Sequence, residues 1–487
     1  MPMGNSKSQN PKSQKNHKFQ IPNYKTEPMF RILPHFSLFL LAFALLMPAA
    51  CKGSHDSCDG LLMVGYQGWF NTPGDGAGLG WKHYASGNAR DKNAFRPGAA
   101  HIDFWPDVSE YAKTYDTAFR FADGRTARVF SSFDESTVDT HFRWMREYGI
   151  DGAFVQRFVS TLKHADTKKH CDTVLASAMK AAAKYDRAVC VMYDLSGMKP
   201  EDAPLVIADI KALAAEHHFE PGGTGESPVP PEPHGRVAHA TQSARDANPA
   251  YLWQNGRPLV AVWGVGFPER TTYSLDDAAK IIGALKQAGF SIMLGVPAYW
   301  RTLTRDCVKD PRLHALIKES DVIMPWFVGR YNGGNYSKTF PKLIADDLAW
   351  CKANNVTYMP LSFPGFSWRN MKGADTTQTP RDKGRFFWEQ LTTCARAGAS
   401  CIYVAMFDEM DEGTAIFKCA AEVPAGAPGS TFVPIERGIP NDYYLQLAGE
   451  AAKMLREPPQ ARPRREIPNP KIPDARSGMA GMAGNSE

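Results

Sequence analysis

Short apolar segments alternate along the chain with segments whose apolar residues are spaced three and four apart. The apolar segments, rich in β-branched and aromatic residues, predict eight strands: 61–69, 152–158, 188–195, 259–265, 292–298, 322–327, 358–363 and 401–407. The amphipathic segments predict seven helices: 138–148, 173–184, 204–217, 274–288, 311–318, 340–354 and 381–397. Strands that are apolar on both faces belong to parallel sheets covered by helices. Eight such units predict a closed (β/α)8 barrel, with a doubly wound sheet as the alternative.

Several segments fall outside this pattern. Residues 70–137 form a long excursion after the first strand, on the side where barrel enzymes build their sites. Residues 221–250 are rich in Pro, Gly and polar residues, which predicts a flexible surface insertion. Residues 52–60 are interpreted as a linker, and the Pro- and Arg-rich tail 457–487 as disordered. The barrel is therefore expected to span 61–456.

The N-terminal region has the features of an export signal. Residues 36–50 are apolar, and this run of 15 is short for a transmembrane helix but suits a signal-peptide core. The sequence at 48–51 (PAAC) resembles a bacterial lipoprotein cleavage box, which would place a lipid on Cys51. Ordinary cleavage without lipid is the alternative, and translation starts at either Met1 or Met29. We expect an exported protein, periplasm-facing or on the cell surface, whose only membrane contact is an N-terminal lipid.

The distribution of charge narrows the class of partner. The net charge is +5, and residues 1–35 account for all of it with six basic side chains against one acidic. The rest of the chain is neutral, whereas nucleic-acid binding needs a basic face. We therefore expect no nucleic-acid partner, a substrate with little or no charge, and a monomer.

Cysteine spacing gives no metal site. Of nine cysteines, eight remain after Cys51, and an exported protein permits them to pair. Buried free thiols are the commoner state for cysteines in strands and helices. Neither a CxxC nor an HExxH motif occurs, so no metal and no cofactor are predicted.

The last predicted strand runs directly into four acids within five residues, Asp408, Glu409, Asp411 and Glu412. Burying like charges together costs free energy, so folding alone does not favour this pattern. Two carboxylates beside a glycosidic bond are what its hydrolysis requires, one as proton donor and the other acting on the anomeric side. An acidic loop that caps a helix or binds calcium is the structural alternative.

Polar and aromatic side chains also stand at the ends of the other predicted strands. Aromatic faces pack against the C–H bonds of sugar rings, while polar groups bind the hydroxyls. Trp263 is interpreted as barrel core, His83 as part of a lid, and Asp103 as lid or turn. The predicted substrate-binding residues are Tyr66, Trp69, Gln156, Arg157, Asp194, Tyr299, Trp300, Arg301, Trp326 and Arg330.

The segment 407–414 (FDEMDEGT) resembles the catalytic segment of glycoside hydrolase family 99, and the resemblance extends weakly over 61–419, including 65–70 (GYQGWF). The chain resembles in particular the bacterial proteins described as family 71/99-like or xylosidase/arabinosidase. The resemblance implies that Glu409 is the base acting on the substrate 2-hydroxyl and Glu412 the general acid/base. Asp408 and Met410 stand where the family usually has Asn and Trp.

Together these features predict a retaining glycosidase, α-mannosidase- or xylosidase-like, that acts on external oligosaccharides or polysaccharides. Two alternatives remain open from the sequence. One is a surface lipoprotein that binds glycans without turnover, and the other is a polysaccharide lyase.

Overall fold

The computed structural model describes residues 55–85, 94–221, 248–373, 378–428, 430–462 and 465–471. Its main sheet is parallel apart from a short antiparallel pair, β6 (Trp253–Gln254) with β7 (Arg257–Trp263). The other strands of this sheet are β1 Leu62–Tyr66, β4 Gly152–Phe158, β5 Ala188–Asp194, β8 Ser291–Pro297, β9 Val322–Trp326 and β12 Ile402–Val404. Around the sheet, β1 pairs with β4, β4 with β5, β5 with β7, β7 with β8 and β8 with β9.

The barrel closes through a seventh strand that is split in two. Its first half, β10 (Thr357–Tyr358), pairs with β9, and its second half, β11 (Leu361–Ser362), pairs with β12, which in turn pairs with β1. Pro360 lies between the halves and has no N–H to donate. Its carbonyl oxygen still accepts from Tyr403 N at 3.0 Å, so the ladder continues across the break. The predicted (β/α)8 barrel is confirmed.

Helices cover the outside of the sheet. All seven predicted helices are present, and local sequence explains several of their ends. The bounds are α1 Glu135–Tyr148, α2 Ala165–Tyr185, α3 Ala203–Glu216, α4 Leu275–Gln287, α5 Arg312–Glu319, α6 Tyr336–Ala353, α7 Arg369–Lys372, α8 Arg385–Ala397 and α9 Tyr443–Leu455. The hydroxyl of Ser274 accepts from Asp277 N at the start of α4, and Gly149 ends α1 at a φ of 79°.

Helix α9 was not among the seven predicted helices, and it packs between α8 and α1. In the segment that follows it, the structure describes residues 457–462 and 465–471, which lie within the predicted disordered tail. Arg462 is buried and donates to the carbonyl oxygens of Ala395 and Ala399, while Trp388 Nε1 donates to Arg465 O. These hydrogen bonds attach the segment that follows α9 to α8.

The part of the expected linker that the structure describes, 55–60, also packs on the barrel. Cys58 is buried, its N–H donates to Gln254 Oε1, and the His55 carbonyl accepts from Trp253 N. The long excursion 70–137 contains a hairpin of β2 (Tyr115–Arg120) and β3 (Thr126–Val129). The predicted signal segment, Cys51 and most of the 221–250 insertion lie outside the described residues.

Three findings apply to the described part of the chain. Its eight cysteines are all unpaired thiols, and seven of them are buried. It holds no cluster of three or more His, Cys, Asp or Glu side chains arranged to bind a metal ion. None of its helices is both long enough and apolar enough to cross a membrane.

Candidate active site

A cleft of about 800 Å³ lies at the C-terminal ends of the barrel strands. Parallel barrel strands bring their C-terminal ends to one face, and this is where side chains from distant parts of the chain meet. The walls come from the first excursion, six strand ends and the segment after β12. The lining residues that matter below are Gln67, Trp69, His83, His101, Gln156, Phe158, Asp194, Trp263, Arg270, Trp326, Arg330, Trp368, Glu409, Asp411 and Glu412.

Glu409 is held from both sides. Its side chain is buried, Oε1 accepts from Gln67 Nε2 at 2.8 Å, and Oε2 accepts from Thr414 Oγ1 at 2.6 Å. A carboxylate with a donor on each oxygen has a fixed orientation, and these donors stabilise its ionised form. The two hydrogen bonds therefore preorganise Glu409 toward the cleft.

Asp408 positions the loop that carries Gln67. It is fully buried, and its two oxygens accept from Gln67 N and Gly68 N at 2.8 Å each. Gly68 has a φ of 57°, and a Cβ there would lie 2.6 Å from Val174 Cγ1, so the turn requires glycine. Asp408 thus acts on the site through Gln67 and does not line the cleft.

A second acid, Asp411, contacts the first excursion. Its Oδ2 lies 3.0 Å from His83 Nδ1, and the His83 ring stacks on Trp69 with centroids 3.8 Å apart and planes within 5°. Burial lowers the pKa of His83 to about 3, so its imidazole is neutral. His83 also has a φ of 62°, an uncommon conformation for a non-glycine residue, which the stack and hydrogen bond hold in place.

Glu412 sits beside the loop that follows the seventh strand. Its carbonyl oxygen accepts from Ser367 N at 2.9 Å, which places the indole of Trp368 at the same wall. Asp103 accepts from Arg369 N and Asn370 N at 2.9 and 2.8 Å. Asp103 therefore anchors this loop rather than forming part of a lid.

Burial controls the electrostatics of the acidic segment. It raises the pKa of Glu409 well above its usual range, and the charges of Glu412 and Asp411 add to the rise. Burial, and to a smaller extent repulsion from Asp411, raises the pKa of Glu412 to about 7. The Trp368 indole and the Lys372 ammonium oppose that shift. Burial raises the pKa of Asp408 and of Asp411 to about 7 as well. The segment therefore retains protons near neutral pH, as general acid chemistry requires.

These shifts predict a pH-dependent stability difference between the wild type and Glu412→Gln. A carboxyl whose folded pKa, about 7, exceeds its ordinary value of 4.5 favours folding below pH 4.5 and loses that contribution as pH rises to 7. The neutral Gln side chain avoids this loss. We expect the variant to gain about 2 kcal/mol of unfolding free energy relative to wild type between pH 4.5 and 7.5. Denaturant titrations at both pH values measure it.

The matched control is Glu201→Gln, whose side chain is 69% exposed. It should change stability by less than about 0.5 kcal/mol at either pH. If Glu412→Gln were no more stable at pH 7.5 than at pH 4.5, relative to wild type, the pKa of Glu412 would not be raised in the folded protein.

Two tryptophans form the opposite wall of the cleft. Trp263 and Trp326 pack edge to face with centroids 5.3 Å apart, and the guanidinium of Arg270 lies 5.1 Å from the Trp263 ring centroid. Gly295 pairs with Trp263 in the next strand, and a Cβ there would lie 2.3 Å from the indole. Trp263 is a buried residue of the hydrophobic core, as the sequence indicates, and its ring also contributes to the wall of the cleft. Burial raises the pKa of the nearby Asp194 to about 6.

Five predicted substrate-binding residues line the cleft: Trp69, Gln156, Asp194, Trp326 and Arg330. Gln156 Nε2 lies 3.3 Å from Tyr403 Oη inside the barrel. The positive charge of Arg330 is balanced by an ion pair, in which its Nε donates to Asp306 Oδ2 at 2.6 Å. The structure brings these five together with Glu409 and Glu412.

The other five predicted residues do not line the cleft, and strand alternation explains two of them. Successive side chains point to opposite faces of a strand, so the neighbours of inward residues point outward. Tyr66 is buried against α1, where its hydroxyl lies 2.8 Å from His141 Nδ1. Arg157 is completely buried and donates to Asp209 at 2.8–2.9 Å and to Asp172 at 2.8 Å. The prediction that Tyr66 and Arg157 bind the sugar is therefore corrected.

The segment after β8 turns away from the cleft. Tyr299 is buried, and its hydroxyl accepts from Arg305 at 2.5 Å. Trp300 is fully buried against Trp350, with ring centroids 4.9 Å apart. Arg301 pairs with Asp347 at 2.7 Å on α6. These three side chains hold the loop against the helices that cover the barrel. Their prediction as substrate-binding residues is therefore corrected as well.

The cleft also contains residues that the sequence analysis did not select: Gln67, His101, Phe158, Arg270 and Trp368. Gln67 could have been selected from the alternation of side chains along the strand. Gly65 faces Tyr403 and Met406 inside the barrel, and the residue two positions later faces the same way. Arg270 and Trp368 lie in loops, where strand periodicity gives no information.

Comparison with known proteins identifies the fold. Searches with protein-family models and against curated proteins found no match. The structure is similar to the GH99 endo-α-mannosidase of Bacteroides thetaiotaomicron in complex with bis-tris-propane, with a TM-score of 0.55 at 16% identity. A second structure of a GH99 endo-α-mannosidase from that organism gives 0.54 at 15%. Each match covers 82% of this chain and 98% of the other.

The chain has the GH99 fold. A similarity at this identity concerns the arrangement of the backbone, and the activity has to be argued from the site. In this GH99-like barrel, the segment after β12 brings Glu409 and Glu412 to one rim of the cleft.

Proposed function

We propose that this protein is a retaining glycosidase that hydrolyses external glycans with α-manno-type stereochemistry. The observation that carries the proposal is the placement of Glu409 and Glu412. Both line the cleft at the C-terminal rim of the barrel, and burial raises the pKa of each. The family resemblance of 407–414 and the aromatic walls support a sugar substrate.

The hydrogen bonds suggest how the two acids divide their roles. Burial and the neighbouring charges raise the pKa of both acids, so the pair retains a proton near neutral pH. Gln67 and Thr414 each donate to one oxygen of Glu409 and oppose that rise, so we assign the retained proton of the pair to Glu412. Glu409 is then the base and Glu412 the acid. This is the same division that the family resemblance implies.

The proposed reaction has two steps. Glu409 takes the proton of the sugar 2-hydroxyl as O2 attacks the anomeric carbon, and Glu412 protonates the departing oxygen, which gives a 1,2-anhydro sugar. Water then attacks the anomeric carbon and gives its proton to Glu412, while the ring-opened O2 recovers the proton from Glu409. Two inversions at one carbon give net retention, and the 2-hydroxyl has to be trans to the leaving group.

A digestion of defined glycans tests this function. A panel of α-mannosides, α-xylosides, arabinosides and uronic-acid polymers should show turnover of trans-2-hydroxyl glycosides by the wild type. The Glu409→Gln/Glu412→Gln double variant is the matched control and should release nothing. Binding without turnover would support the non-catalytic glycan-binding alternative, and unsaturated uronic products would support a lyase.

The proposed location follows from the sequence alone. We propose that residues 1–51 direct export and that Cys51 carries a lipid. Cys51→Ala should move the protein from the membrane fraction to the soluble fraction while leaving its hydrolytic activity unchanged. Retention of the variant in the membrane fraction would contradict the lipid anchor.

A further inference from the structure

A second cavity of about 200 Å³ adjoins the cleft beside β4 and the start of α2. The two cavities share Gln67, Trp69, His83, Gln156 and Phe158 as walls. This side pocket therefore lies next to the residue that donates to Glu409. It is larger than the cavity of about 150 Å³ that holds a benzene molecule in an engineered protein.

Two polar side chains of the side pocket, His170 and Thr161, form hydrogen bonds with neighbouring protein groups. His170 uses both ring nitrogens, with Nδ1 at 3.1 Å from Asn71 Nδ2 and Nε2 at 2.8 Å from Gly68 O. Thr161 Oγ1 donates to Phe158 O at 2.7 Å. Lys82 is the one charged side chain among the described residues that line the pocket.

Apart from Lys82 and Ser160, the remaining surface of the side pocket is mostly apolar. It comes from Val155, Val174 and the faces of Trp69 and Phe158, which stack with centroids 5.7 Å apart. The unpartnered amide oxygens of Gln67 and Gln156 are buried and expose almost no surface. A sugar ring would lose the hydrogen bonds of its hydroxyls here, whereas an apolar group would lose none.

We propose that the side pocket binds an apolar substituent, about the size of a phenyl group, that is carried by the glycan in the cleft. This inference rests on the proposed function insofar as the cleft has to hold a glycan. The substituent is expected on a hydroxyl other than O2, because the proposed reaction needs the 2-hydroxyl free.

Cys171 reports on occupancy of the side pocket. It lines the pocket and is the one described cysteine that is not buried, so a small thiol reagent should reach it first. Methyl methanethiosulfonate is applied to the full-length Glu412→Gln protein, which avoids turnover. Peptide mass spectrometry gives the labelling rate at Cys171 itself. The added probes are methyl α-mannoside, benzyl alcohol, and methyl α-mannosides that carry one benzyl group at O3, O4 or O6.

We expect at least one benzylated mannoside to slow the labelling of Cys171 by about tenfold more than methyl α-mannoside or benzyl alcohol at equal concentration. Ser160 also lines the side pocket. Ser160→Phe, which fills the pocket, should abolish that difference, and Ser160→Ala should keep it. Equal protection by methyl α-mannoside and all benzylated probes would overturn the proposal, as would protection no better than that of benzyl alcohol. Hydrolysis is not measured, so failure here is distinct from failure of the glycosidase proposal.

Discussion

Glu412→Gln is expected to lose about 10²–10⁴-fold in kcat on glycans with poor leaving groups, because general acid catalysis contributes about that much. The loss should be smaller on an activated aryl glycoside, whose leaving group needs little protonation. Glu409→Gln should be impaired on both substrates, because its proton transfer precedes departure of either leaving group. Steady-state kinetics on a matched alkyl and aryl pair separate the two roles.

Asp107→Asn is a suitable control for these variants, since Asp107 lies outside the cleft and accepts a surface hydrogen bond from Asn441. It should retain wild-type kcat on both substrates. If Glu412→Gln lost equal activity on the aryl and alkyl substrates, its assignment as the acid would be wrong. A Glu409→Gln variant that kept full activity on the aryl substrate would exclude Glu409 as the base.

Arg157→Ala is expected to reduce the unfolding free energy by about 3 kcal/mol, because it leaves the buried Asp209 with only the Lys168 ammonium at 3.4 Å and the Tyr193 hydroxyl at 2.8 Å as partners. The Asp209 side chain is only 3% exposed, and Arg157 is fully buried. Denaturant unfolding measures the loss. Arg312→Ala provides the control, since its pair with Asp276 joins side chains that are 60% and 65% exposed and should therefore change the unfolding free energy far less than Arg157→Ala.

This prediction also separates the structural role of Arg157 from the substrate-binding role that the sequence suggested. A variant with unchanged stability but a raised KM would restore the substrate-binding interpretation. A variant that unfolds more readily, with an unchanged KM below its melting temperature, agrees with the ion pair to Asp209 and Asp172.

The barrel could be predicted because its physical requirements are repeated along the chain. Each strand has to be apolar on both faces and each helix on one, and these periodicities survive local variation. The acidic segment was also recognisable, because Asp408, Glu409, Asp411 and Glu412 break the apolar pattern at a strand end.

The choice among residues at the strand ends could not be made from residue type alone. Arg157 and Gln156 are both polar, yet the first faces the helices and the second faces the barrel interior. Counting every second residue from Gly65 would have selected Gln67 instead of Tyr66 as a residue that faces the cleft. Loop residues such as Trp368 enter the cleft through tertiary contacts, here the anchoring of the next residues on Asp103. No local pattern in the sequence encodes those contacts.

The neighbouring-group reaction at the centre of the account depends on the substrate 2-hydroxyl. The most direct measurement follows the product anomer by proton NMR with a substrate identified in the glycan digestion, and compares that substrate with its 2-deoxy analogue. Neighbouring-group participation predicts that the first product formed has the anomeric configuration of the substrate and that the 2-deoxy analogue is not turned over. Inversion, efficient hydrolysis of the 2-deoxy analogue, or a glycosyl ester trapped on Glu409 would contradict it.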